Sequence, residues 1–206
     1  MNTESVVISG ARDVRGTLAE PDGGTDRAVV ACPPHPQYGG NRQDRRLRAV
    51  ADALVDRGVA CLRIDYGEWD EGRGEQTDVH NSLRWVAERY ESSGMFGYSF
   101  GSISALLVAA DLGRAGKEAD VDLAAVSALA PGELAVDGLA DIECPVQLLY
   151  GTRDTTVDWE PVVERARERA EEGREIEIVE FSADHHFVGQ AEKVAEDVTD
   201  FLVAWL

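Results

Sequence analysis

Lysine is scarce in this chain: of 20 basic residues only Lys117 and Lys193 are lysines, the rest being arginines, and they stand against 39 acids for a net charge of −19. Such a surface repels nucleic acid and anionic membranes, so neither is an expected partner. The acids run along the whole chain rather than gathering in a tail. That distribution fits a solvation device for a high-salt cytoplasm better than an acidic partner-binding face. At molar salt the Debye length is about 3 Å, so neighbouring acids barely repel.

Cysteine is also sparse. Cys32, Cys61 and Cys144 are an odd number with no C-x-x-C pair, which argues against a disulfide framework or a zinc site of usual spacing. Cys32 and Cys61 sit in apolar runs and read as small core residues. No apolar run approaches the roughly 18 residues of a membrane span. The start, MNTESVVISGARD, has an early acid and no basic stretch before a long apolar one, unlike a signal peptide. No internal repeat or low-complexity segment stands out. The expectation is a soluble, cytoplasmic protein of one domain, residues 1–206, with homo-oligomerisation left open.

What is present is alternation. Ser5–Gly10 and Val14–Glu20 read as two short strands joined by a turn. Ala28–Cys32, Val59–Asp65, a short strand around Gly94–Tyr98, Leu123–Leu129, Val146–Tyr150 and Ile176–Phe181 read as buried strands. Between and after them, helical patterns cover Arg42–Arg57, Glu75–Tyr90, Ser102–Ala110, Trp159–Glu171 and Ala191–Trp205. Apolar strands alternating with helices predict an α/β fold. Its sheet is mostly parallel, with about eight strands covered on both faces and an antiparallel edge at the N-terminus.

One motif carries chemistry. Gly97-Tyr98-Ser99-Phe100-Gly101 is a G-x-S-x-G pattern between a strand and a helix. A serine at such a turn sits on a strained backbone, and glycines two residues either side remove the clashes that bulkier residues would make. The hydroxyl is then pushed out of the sheet, and the Phe100 N–H is left free. By itself the pattern is weak, because a serine there can simply cap the helix.

A serine hydroxyl needs a base, and the base needs an orienting acid. After a serine elbow the partners follow in the order acid, then histidine. Only His185 and His186 lie downstream of Ser99, since the chain's other histidines are His35 and His80. Adjacent residues in an extended segment point to opposite sides, so one of the two reaches Ser99. The acid is Asp154, in the loop after Val146–Tyr150 at the carboxyl edge of the sheet. Asp158 is second, being better placed to cap the next helix. The same geometry argues against Asp184 with both histidines as a metal site, and no metal is expected. The oxyanion hole needs two backbone N–H groups. Phe100 supplies one. Pro34 and Pro36 have none to give, which leaves Gln37 or Tyr38 in the loop Pro33–Gly40. His35 shapes the site rather than transferring protons.

Together these residues resemble the α/β-hydrolase superfamily, particularly small lidless members near the dienelactone hydrolase-like and prolyl-oligopeptidase-like esterases. HPQYGG (35–40), RIDYGEWDEGRGE (63–75), GYSFGS (97–102), LLYGTRDTTV (148–157) and ADHHFVG (183–189) carry the likeness, which spans Ala28 to the last helix. In such proteins the last segment often reads Asp-His-Phe-Phe, so His185 matches the histidine and His186 replaces an aromatic. The resemblance implies a Ser99–His185–Asp154 triad and no cofactor, and for the oxyanion hole Gln37 is taken with Phe100. His35, Tyr38, Trp69 and His186 then contact a small-molecule ester. Trp159 and Phe187 are further candidates for an apolar wall, though ordinary packing accounts for at least half of these aromatics. Dienelactone hydrolases usually carry a cysteine nucleophile, and the chain departs from them there. The short span from Leu129 to Pro145 leaves no room for a cap domain. The rival readings are acyl transfer or thioester hydrolysis by the same triad, a non-catalytic binding protein on this fold, and an acidic scaffold.

Overall fold

The computed structural model describes residues 1–10 and 12–206. Its strands are β1 (Asn2–Ile8), β2 (Val14–Glu20), β3 (Arg27–Cys32), β4 (Ala60–Asp65), β5 (Ser92–Tyr98), β6 (Ala125–Leu129), β7 (Val146–Gly151) and β8 (Ile176–Phe181). Its helices are α1 (Arg45–Asp56), α2 (Arg73–Ala87), α3 (Phe100–Ala115), α4 (Glu160–Glu171) and α5 (Ala191–Trp205). The strands form one sheet in the order β1-β2-β4-β3-β5-β6-β7-β8. β2 pairs antiparallel with both β1 and β4, and every pairing from β4 through β8 is parallel.

The period-two rule divides the core. Ala28, Val30 and Cys32 of β3 face a cluster with Leu83 of α2, Leu106 of α3 and Val162 of α4. Val29 and Ala31 face the other side, with Leu47 and Leu54 of α1 and Val198 and Leu202 of α5. Inner strands such as β3 and β6 are almost wholly buried and apolar because both faces are covered, whereas the edge strands β1 and β8 carry exposed polar residues. Between β6 and β7 lie two short 3-10 turns, Glu133–Ala135 and Asp137–Asp141, and no cap domain. No helix among the described residues is long and apolar enough to cross a membrane.

Several boundaries differ from expectation, each for a local reason. Helix α1 starts at Arg45 rather than Arg42, because the Asp44 side chain accepts from the Arg46 N–H and caps it there. Helix α2 starts earlier, at Arg73, because Glu75 reaches back to the Gly72 N–H at 2.8 Å. It also ends earlier, and the Tyr90 hydroxyl turns to Glu20 at 2.7 Å. Helix α3 begins directly after Ser99 and runs to Ala115, longer than the small-residue stretch suggested. β1 covers Asn2–Ile8 rather than Ser5–Gly10. Its ladder with β2, from Asn2 opposite Glu20 to Ile8 opposite Val14, sets its ends instead of its apolar content. The first helical residue of α4 is Glu160 and its N-cap is Trp159, so Asp158 is not the cap.

Candidate active site

Ser99 follows the last residue of β5 and precedes the first of α3. Its φ is 55°, a left-handed value that a non-glycine residue adopts only when its surroundings impose it. Those surroundings are visible. The Ser99 N–H donates to the Leu129 carbonyl at 2.8 Å, at the end of β6. The Ser99 carbonyl accepts from the Ser102 N–H at 2.9 Å and the Ser102 hydroxyl at 2.6 Å. A β-carbon on Gly97 would strike the Gly101 carbonyl, and one on Gly101 would strike the Cys32 carbonyl, so both glycines are required by close approach.

Ser99 occupies the N-cap position of α3, yet its side chain makes no capping hydrogen bond. Its Oγ lies 2.9 Å from His185 Nε2 instead. On the far side of the same ring, His185 Nδ1 lies 2.7 Å from Asp154 Oδ2. Asp154 is fixed in turn by the N–H groups of Thr156 and Val157, which donate to Oδ1 at 2.8 and 3.3 Å. The two loops that carry this acid and histidine are docked on each other, the Thr152 N–H donating to the Phe181 carbonyl and the Arg153 N–H to the Ala183 carbonyl.

The choice between the histidines falls out of alternation. From Phe181 to Phe187 buried and exposed residues alternate one by one, His185 buried and His186 exposed. His185 points inward to Ser99 while His186 stands at the rim, its ring centroid 5.7 Å from that of His185. Asp158 is exposed and makes no bond to either histidine among the described residues. No group of three or more His, Cys, Asp or Glu side chains there converges as a metal site.

Phe100 is the first residue of α3, so its N–H has no intrahelical acceptor. The loop Pro33–Gly40 holds a short 3-10 turn, Pro36–Tyr38. In it the Gln37 N–H is not open: it donates to His35 Nδ1 at a long 3.3 Å. The Tyr38 N–H donates to the His35 carbonyl at 3.1 Å. Burial holds the His35 imidazole below its ordinary range, with the Glu75 carboxylate pulling the other way. A neutral ring with a free Nδ1 is what this hydrogen bond needs.

A cleft of about 360 Å³ opens beside Ser99, lined among others by His35, Tyr38, Arg46, Tyr98, His185 and His186. Tyr38 is 87% exposed at its mouth. Trp69 does not line this cleft. It packs behind it, with ring centroids 4.5 Å from His35 and 5.7 Å from Phe100. Trp159 stacks on Tyr150, and Phe187 is buried edge-on to Phe181, so both serve packing. Sequence reading left Tyr98, Arg46 and Asp44 without a role. The Tyr98 hydroxyl donates to the His185 carbonyl at 3.0 Å, and burial pushes that phenol up to about 12, keeping it a donor. An arginine on the apolar stripe of α1 was the signal available for Arg46.

No family model matches the chain. Comparison with solved structures nevertheless identifies the architecture as the α/β-hydrolase fold, in its lidless form. An α/β serine hydrolase homologue from Coxiella burnetii superposes with a TM-score of 0.77 at 24% identity, over 99% of this chain and 97% of the other. A lidless serine hydrolase from Xanthomonas campestris gives 0.80 at 19% identity, covering 99% and 95%. A dienelactone hydrolase from Anabaena variabilis gives 0.79 at 22% identity, covering 100% and 98%. In sequence the chain is 25% identical to an uncharacterised protein of Rickettsia prowazekii, over 92% of this chain and 84% of that protein.

Proposed function

We propose that the chain is a serine hydrolase that cleaves carboxylic esters through an acyl-enzyme. The observation that carries this reading is the unbroken run from Ser99 Oγ through the His185 ring to Asp154, at 2.9 and 2.7 Å. Ser99 Oγ attacks the ester carbonyl carbon as its proton passes to His185 Nε2. Asp154 holds Nδ1–H and stabilises the imidazolium that forms. The carbonyl oxygen, now negative, is held by the Phe100 N–H and by the Gln37 N–H, which exchanges its long bond to His35 for a charged acceptor. Collapse of the tetrahedral intermediate breaks the bond to the alkoxy oxygen, which leaves as alcohol with the proton from His185. Water then attacks the acyl carbonyl, gives its proton to His185, and releases the acid and free Ser99.

The serine hydrolases among the structural neighbours support this class of reaction. Absence of a cap favours hydrolysis over acyl transfer, because water reaches the acyl-enzyme through an open cleft. His35, Tyr38 and His186 meet the substrate there, and Trp69 acts one layer behind by supporting His35. The test is a panel of p-nitrophenyl esters of rising acyl length in molar salt. Wild type should turn over the short members and Ser99→Ala none of them. Equal rates from both proteins would sink the proposal.

A further inference from the structure

We propose that Arg46, with Asp44 and Tyr98, is a positioning residue that braces the segment carrying the histidine base. This rests on the reading of His185 as that base. Asp154 grips only the His185 ring, through Nδ1. It sets the tilt of the imidazole and leaves the backbone beneath it to other contacts. That backbone lies in a loop after β8 whose residues Asp184 and His186 are exposed.

Two consecutive carbonyls of the loop are taken by side-chain donors. The His185 carbonyl accepts from the Tyr98 hydroxyl at 3.0 Å. The His186 carbonyl accepts from Arg46 Nη1 at 2.9 Å and from the exposed Arg45 Nη2 at 3.2 Å. Arg46 and Tyr98 are themselves one unit, the guanidinium lying 4.0 Å above the Tyr98 ring. Asp44 fixes the guanidinium from the other side, accepting from Nε at 2.9 Å and pairing with Nη2. The same carboxylate accepts from the Arg46 N–H at 2.8 Å and caps α1, so the brace is anchored at a helix start.

Tyr98 is the residue immediately before Ser99. Nucleophile and base are therefore tied to each other twice: directly through Ser99 Oγ, and through the Tyr98–Arg46 pair. Arg46 is 8% exposed, on a helix face otherwise made of Leu47, Val50, Ala51, Leu54 and Val55. Packing alone does not ask for a guanidinium there, since a leucine would fill such a position without the desolvation cost of a buried ion. The two loop carbonyls are what the charge and the donors serve.

The test is phosphonylation of Ser99 by an alkyl fluorophosphonate, which needs the nucleophile and base but no knowledge of the natural substrate. The Ser99 Oγ–P bond forms, the P–F bond breaks, fluoride leaves, and the serine proton goes to His185. Arg46→Met should lower the maximal inactivation rate about tenfold, since misplacement by an ångström can cost about a hundredfold. The half-saturating concentration should stay close to wild type. The double variant Asp44→Asn with Arg46→Met removes the unpaired carboxylate and should be no faster. Arg46→Lys, which keeps one donor for the His186 carbonyl, should recover part of the rate. A folded Arg46→Met protein reacting at the wild-type rate overturns the proposal, as does Arg46→Lys reacting no faster than Arg46→Met. Should Arg46→Met fail to fold, Arg46→Lys carries the test: a rate a few-fold below wild type is expected, and an unchanged rate overturns it. His185→Gln separates the two claims. If it reacts at the wild-type rate, the base assignment fails, whatever Arg46 does.

Discussion

Asp154 on one hand and the Glu75–Asp78 pair on the other are buried carboxylates put to different ends. Asp154 is held by two backbone N–H groups and faces a histidine. Glu75 and Asp78 have fully buried side chains and share Arg12, with Arg12 Nε 2.8 Å from Asp78 and Nη2 3.5 Å from Glu75. Both carboxylates also accept from the loop between β4 and α2. Glu75 takes the Asp70 and Gly72 N–H groups at 2.9 and 2.8 Å, and Asp78 takes the Gly67 N–H at 2.9 Å. That loop carries Trp69, which packs on His35 and Phe100. Burial of an acid is common to both places. A histidine that reaches the Ser99 hydroxyl marks the first, and a permanent cation with backbone amides marks the second.

Substitutions should separate the two. Asp154→Asn is expected to lower kcat about 10⁴-fold, roughly 5.5 kcal/mol of barrier, with little change in melting temperature. A fall of less than tenfold in ester turnover would remove Asp154 from the relay. Asp78→Ala should do the reverse. Leaving Arg12 against a half-empty site should cost about 3–5 kcal/mol of stability, read by urea unfolding, while turnover per folded molecule changes little. Loss of turnover without loss of stability would erase the distinction. Glu75→Gln keeps an acceptor for only one of the Asp70 and Gly72 amides, leaves the other facing an NH2 donor, and should cost about 1–3 kcal/mol in the same unfolding measurement.

The smallest effect links Glu75 to the loop beside Ser99. The Glu75 carboxylate pulls the His35 imidazole upward against the burial that lowers it. Removing that charge in Glu75→Gln should therefore move the His35 titration further down, as followed by the ring proton shift in NMR. The sign for the Pro33–Gly40 loop follows. His35 binds its proton less readily in the folded chain than in the unfolded one. Its contribution is thus complete above the unfolded value of about 6.5 and declines as pH falls below it. An upward shift in Glu75→Gln would contradict the placement of these groups.

Much of the fold was legible in the chain because parallel strands buried on both faces read as short apolar runs. Ser99, Asp154 and the histidine pair were legible because a strand-elbow-helix context and chain order restrict the choices. Separating His185 from His186 needed the resemblance, and the structure supplies a physical reason in the alternating burial of residues 181–187. Arg46 and Tyr98 were not legible in these roles, since their bonds to the His185–His186 carbonyls cross 140 and 87 residues of sequence. The pairing of Glu75 and Asp78 with Arg12 was not legible either, because Arg12 lies more than 60 residues earlier, between β1 and β2. The Gln37 N–H illustrates a further limit: proline positions show which amides exist, and only the folded loop shows that this one is engaged by His35 Nδ1.

The most direct test of the Ser99–His185–Asp154 relay is the intact mass and peptide map of the protein after a fluorophosphonate pulse. One adduct is expected, on the peptide containing Ser99, nearly absent in His185→Gln and still formed in His186→Gln. An adduct elsewhere in the chain, or one formed as fast in His185→Gln as in wild type, would contradict it.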